Sequence, residues 1–161
     1  MAGFGDAEAA LERFAASARA GGAAAAANAM AGRFVDHEQK VTLNRSTHAR
    51  GSRGAAPRGS PPARVSGWLA ASFQIDRAAP GGDSASALAG PTAIYSRLQE
   101  LGGGITKDPG FMHWVDYGGP QYRHFVYVGP HPYMRPGVEA VIADGSLRAA
   151  AAEAFAAATG Q

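Results

Sequence analysis

Cysteine is absent from the 161 residues, which excludes disulfides and thiolate metal sites. No apolar run is long enough to span a bilayer. Asp6 and Glu8 precede any Lys or Arg, so no secretory leader or membrane span is expected, and a soluble protein made in a cytoplasm is. Lysine is nearly missing: 13 of the 15 basic residues are Arg, an excess that, with abundant Ala and Gly, is what a G+C-rich genome produces. With a formal charge of only +2, that bias says little about nucleic acid.

Two regional absences say more. From Ile94 to Glu139 there is no Ala, although 37 residues of the chain are Ala, and 8 of the 14 aromatics fall there. The main core is therefore expected in the second half, with helical ends wrapped against it. Between Glu38 and Asp76 there is no acidic residue, and Asn44 to Ala63 holds Arg45, Arg50, Arg53 and Arg58 among Gly51, Gly54, Gly59, Pro57, Pro61 and Pro62. Such a segment buries no core of its own, and a loop of this length is usually functional or disordered.

Elsewhere the periodicities are readable. Phe4, Leu11, Phe14 and Ala18 recur at helical spacing behind Asp6, a capping residue. Gly21-Gly22 interrupts the pattern, and a second helical stretch covers Ala23 to Gln39, with Met30, Phe34 and Val41 on one face near Val35 and Glu38. One kinked helix or two would satisfy it. The run Ala23–Ala27 offers a smooth face to a close neighbour. Ser66–Ser72 reads as a turn or short helix, and Phe73–Arg77 alternates as a strand. Ala79–Gly90 reads as a loop, and Thr92–Leu101 as a short amphipathic helix ended by Gly102-Gly103-Gly104. Two strands near Phe111–Tyr117 and Tyr122–Val128 are joined by Gly118-Gly119-Pro120-Gln121 as a hairpin. A last helix runs from Pro136 to about Ala158 with Val138, Val141, Ile142 and Phe155 facing inward, and Asp144-Gly145-Ser146 is placed to kink it.

The expected fold is α+β: a small, largely antiparallel sheet packed by N-terminal and C-terminal helices, with a long Arg/Gly/Pro-rich loop. It is read as a single domain, with a helical part (1–43), an extended loop (44–63), a sheet with a short helix (64–135) and a C-terminal helix (136–161). The joint before the last helix is stiff by local chemistry. Pro130 and Pro132 keep the chain extended, Pro136 suits a first helical turn, and Tyr133 and Met134 just outside it can staple the helix to the body.

Three separated pieces carry a resemblance. Pro62 followed by Ser66-Gly67-Trp68-Leu69-Ala70-Ala71-Ser72, then Tyr95 with Glu100 and Gly102-Gly103, then Pro132-Tyr133-Met134-Arg135-Pro136 stand in this order. They resemble marker segments of a family of tailed-phage neck proteins, the minor tail, tail-completion or head–tail joining proteins. The long Arg loop, the Ala79–Gly90 segment and the alanine-rich first third depart from that pattern.

The resemblance implies a non-enzymatic structural subunit of the virion neck, assembled in the host cytoplasm. Copies would form a homo-oligomeric, hexameric ring between the capsid connector or stopper and the tail terminator or tail tube. Double-stranded DNA would pass through it, with no cofactor and no membrane. A tail terminator ring is the alternative within the virion. From another class, the alternative is a nucleic-acid-binding module using Arg45, Arg50, Arg53, Arg58 and Arg64, whose guanidinium groups would neutralise phosphates. The same arginines serve an assembly arm or a solvated loop, and no aromatic interleaves them for base stacking.

Enzymatic patterns are thin. His113, Asp116, His124 and His131 are of metal-ligand type but follow no established ligand spacing. Ser66 and Ser72 have no His/Asp partner in a recognisable setting. Gly102-Gly103-Gly104 lacks the Lys-Ser/Thr of a phosphate loop and follows a helix, as a C-cap does. Trp68 and Trp114 suit core or interface anchors. Glu100 suits pairing with an Arg or a backbone N–H.

Overall fold

The computed structural model describes residues 4–45, 56–57, 59–64, 66–82, 84–106, 112–116, 119–123 and 125–160. The fold is α+β: six helices and three two-stranded sheets among the described residues. The chain divides into two compact units, one made of 1–37, 73–90 and 138–161 and the other of 38–72 and 91–137.

The first unit begins with α1 (Phe4–Ser17), a π turn (Ala18–Gly22) and α2 (Ala23–Lys40). The two helices are separated at Gly21, whose φ of 130° interrupts the helical backbone and is open to glycine alone at little strain. α2 buries Ala24, Ala27, Ala31, Phe34 and Val35, a stripe at three- and four-residue steps. Three of its alanines are buried, although Met30 and Val41, expected on the same face, are more than a third exposed. β1 (Phe73–Asp76) pairs with β2 (Leu88–Pro91), and Phe73 meets Phe34 edge-on at 6.2 Å between ring centres. Asn28 fixes the chain after β1, its side chain donating to the Ala78 carbonyl (3.1 Å) and accepting from the Ala78 N–H (2.8 Å).

The final helix of the sequence reading is two helices, α5 (Met134–Ala143) and α6 (Ser146–Thr159). Asp144 accepts from the Ser146 N–H at 2.8 Å, the local chemistry of a helix stop and restart. Val141 is fully buried, whereas Ile142 is 62% exposed and Val138 37%, so the inward face is narrower than expected. On α6, Phe155 stacks obliquely on Phe14 (5.5 Å) and lies so close to Gly22 that a Cβ there would sit 2.7 Å from its ring.

The second unit holds a single 3-10 turn (Thr42–Asn44), α3 (Trp68–Ala71) and α4 (Ser96–Leu101), a helix shorter than the Thr92–Leu101 reading. Its strands correct the hairpin. β4 (Met112–Asp116) pairs antiparallel with β5 (Gly119–Arg123) in the register His113↔Tyr122. β6 (Phe125–Val128) leaves that pair and joins β3 (Gly103–Thr106), register Gly104↔Tyr127. The expected second strand is thus shared between two sheets, and the Gly-Pro-Gln of the expected turn lies in β5. Phe125 lies over Gly104, where only a missing side chain admits the ring. Leu43, Leu69, Ala93 and Tyr133 are the buried apolar residues described in this unit.

Candidate functional site: a carboxylate-capped corner

The stretch from Pro130 to Pro136 leaves β6 and starts α5. A helix start exposes backbone N–H groups that have no partner within the helix. Here one carboxylate, on the far side of the sequence, takes all that are available. Glu100 accepts from the N–H of Tyr133 (2.7 Å) and Met134 (3.1 Å) through Oε2, and from Arg135 (3.4 Å) through Oε1. Pro136 has no N–H to satisfy. The α5 start therefore has its donors capped, and a negative charge sits at the positive end of the helix dipole. Of the two pairings expected for Glu100, the structure shows the one with backbone N–H groups.

The rest of the corner is fastened by neighbouring groups. Tyr133 is 1% exposed, and its hydroxyl donates to the Ser96 carbonyl at 3.2 Å. Burial, with Glu100 and Glu38 adding, holds that phenol well above its ordinary range. The His131 N–H donates to Gln99 O at 2.7 Å, and His131 Nδ1 lies 3.1 Å from Ser60 O. The Gly59 N–H donates to Pro130 O at 3.0 Å, so the end of the Arg/Gly/Pro segment docks on the corner.

Gly102 closes α4 with its N–H on Leu98 O (2.8 Å) and a backbone (φ 68°, ψ 177°) that belongs to glycine. A Cβ there would lie 2.8 Å from Pro130 N and 2.9 Å from Val128 O. Gly102→Ala is expected to destabilise the protein by about 2 kcal/mol. Urea unfolding checks this; an unchanged midpoint would show that the turn tolerates a side chain.

The first marker segment is held nearby in the same unit. Ser66 Oγ accepts from the Trp68 N–H (3.3 Å), Ser72 Oγ donates to Leu69 O (2.8 Å), and Ser72 O accepts from the Thr92 N–H (2.9 Å). Both serines are occupied in turn chemistry. A cleft of about 120 Å³ is lined by Leu43, Pro62, Arg64, Trp68, Tyr95 and Gln99 among others, with Trp68 65% exposed at its side. Gly67 and Leu69 also line it, while Gly103 packs on Leu98. Residues of the first two marker segments therefore share one cleft, and Glu100 ties the second to the third.

Of the five arginines, Arg64 donates to Asn44 Oδ1 at 2.7 Å and packs against Gly67. It is a strut across the base of the loop. Arg45 is exposed; Arg50, Arg53 and Arg58 lie outside the described residues. His131 is taken up by the corner. The side chains of His113 and Asp116, and all of His124, lie outside the described residues, as does the side chain of Trp114. Among the described residues, no three His, Cys, Asp or Glu side chains are grouped to hold a metal.

One buried group escaped the sequence reading. Glu38 has no exposed surface, and neither carboxyl oxygen meets the geometry of a hydrogen bond with any described group. Its Oε1 presses on Gly137 in the first turns of α5. Burial, opposed by the Thr42 hydroxyl and helped to a lesser extent by Glu100, pushes its pKa up to about 8. The signal that was there to find is the buried stripe Tyr133, Gly137, Val141: a glycine in mid-stripe marks a close approach. None of the protein-family models, curated proteins or solved structures compared with the chain matches it.

Proposed function

We propose that this chain is a structural, non-enzymatic subunit of a tailed-phage neck. Copies close into a ring between the capsid connector and the tail tube, leaving a central passage for double-stranded DNA. The observation that carries the reading is the convergence of the three marker segments in one unit. Residues 66–70 share a cleft with Tyr95 and Gln99, and Glu100 clamps the backbone of Tyr133, Met134 and Arg135. Segments far apart in sequence are here parts of one joint at the start of α5.

Exposed apolar surface supports a subunit that assembles. Leu11 is 70% exposed and Phe14 54% on α1, and Phe125 and Tyr127 are more than half exposed on β6. Apolar surface of this kind, on the edge of a two-stranded sheet and on an amphipathic helix, suits head-to-tail contacts that close a ring.

Native mass measurement and electron imaging test this, with the protein alone and mixed with connector and tail-tube proteins. Rings of about six copies, as head-to-tail closure produces, are expected in the mixture. A strict monomer that joins neither partner defeats the reading.

A further inference from the structure

Two carboxyl groups face each other around the start of α5, and only one has a place to put a negative charge. Glu100 is held by three N–H donors at a helix N-terminus. Glu38 is completely enclosed, has no hydrogen-bonded partner for either oxygen among the described residues, and sits against the Cα of Gly137. The titratable and charged groups that face it are Glu100 from α4 and Tyr133 from the corner; Thr42, from its own side, adds a hydroxyl. No cation is among them. A carboxylate in that position meets burial and a like charge together, whereas the neutral acid escapes the like charge and most of the burial cost.

We propose that Glu38 is a proton-operated latch on the corner: neutral, it seats against Gly137 and lets Glu100 hold the α5 start, and ionised, it leaves its seat and loosens that start. In the step, the carboxyl O–H bond breaks and its proton passes to water or a buffer base. The carboxylate left behind must then reach solvent, and Gly137, in the first turn of α5, is packed directly against it. The Tyr133, Met134 and Arg135 amides report the result, because their protection depends on the Glu100 cap staying in place.

The sign follows from linkage. With a folded pKa near 8 against an ordinary 4.5, the native protein holds a proton that the unfolded chain has already released across that interval. The stability carried by the neutral group is whole below pH 4.5, is lost as pH rises to about 8, and is constant beyond.

The test is carboxyl-carbon NMR of the intact protein, with solvent-exchange rates of the three amides, from about pH 6 to about pH 9, on wild type and Glu38→Gln. In wild type the Glu38 carbon is expected to titrate near 8, and amide protection, corrected for intrinsic exchange, to fall about tenfold over the same interval. Glu38→Gln is expected to keep its protection throughout. A Glu38 carbon that titrates in the ordinary carboxylate range overturns the proposal, as does protection falling equally in both proteins or in neither. If the variant does not fold, coincidence of the two wild-type curves decides: separate midpoints overturn the latch.

Discussion

Glu100→Ala is expected to destabilise the protein by about 4 kcal/mol, because it strips the acceptor from three backbone donors at once. A single hydrogen bond to a charged group contributes on the order of 1.5–3 kcal/mol, and the third bond here is long, so the sum falls short of three full contributions. Truncation leaves the donors of Tyr133 and Met134 in part-buried surroundings where water replaces the carboxylate poorly. Glu100→Gln should lose about half as much, since an amide oxygen still accepts but the charge at the α5 start is gone. Denaturant unfolding followed by the fluorescence of the tryptophans gives the totals. Equal losses for Ala and Gln would mean that the charge carries the whole effect and the three-point geometry none. A loss below about 1 kcal/mol for Ala, the level of an ordinary exposed cap, would remove the corner from the structural account.

The second large effect belongs to a single methyl group. Gly137→Ala places a Cβ onto Glu38 Oε1 and 3.3 Å from Thr42 Oγ1, and nothing there is free to move without disturbing the buried carboxyl. Ala normally favours a helix over Gly by about 1 kcal/mol, so propensity alone predicts stabilisation. Overpacking wins: a net loss of about 3 kcal/mol is expected. The reversal is checked by a double-mutant cycle. With Glu38→Ala in place the clash is gone, and adding Gly137→Ala should be neutral or favourable. The same penalty in both backgrounds would show that Gly137 is needed for another reason.

What could be read from the sequence follows the range of the interactions. The corner was legible because proline acts on its own φ and its immediate neighbour, and Pro136 does fall in the first turn of α5. The breaks at Gly21 and Gly145 were legible as interruptions for the same reason, although the second separates two helices where a kink was expected. β2 was not legible. Leu88-Ala89-Gly90-Pro91 has little strand propensity, and pairing with β1 makes it a strand. Nor was the sharing of residues 119–128 between β4 and β3, since local alternation cannot say which partner a strand takes.

The part of the core in α2 went unread for a related reason. Alanine buries little area, so the alanine-rich helices looked like wrapping. Yet Ala24, Ala27 and Ala31 are buried on the same helix as Phe34 and Val35. Of the site, the three marker segments were visible as chemistry, but the bond between Glu100 and the corner spans more than thirty residues. Glu38 was placed near the apolar face of its helix, but its enclosure was not legible. Nothing in a Glu on an ordinary helix announces that it is enclosed.

The pairing of Gly22 with Phe155 has a consequence for how the protein is made. The first unit is assembled from three separate stretches, and its N-terminal helices meet their partners Phe155 and Thr159 only across almost the whole length of the chain. During synthesis, α1 and α2 leave the ribosome long before α6 exists, whereas everything the second unit needs, residues 38–137, has been made by then. The middle of the chain is thus able to fold first, while Phe14 and Gly22 still lack their partners on α6. Ribosome-bound chains ending at residue 140 and extended by a spacer long enough to clear the exit tunnel should accordingly protect the corner amides while α1 remains open to protease, with the arrival of α6 as the last step.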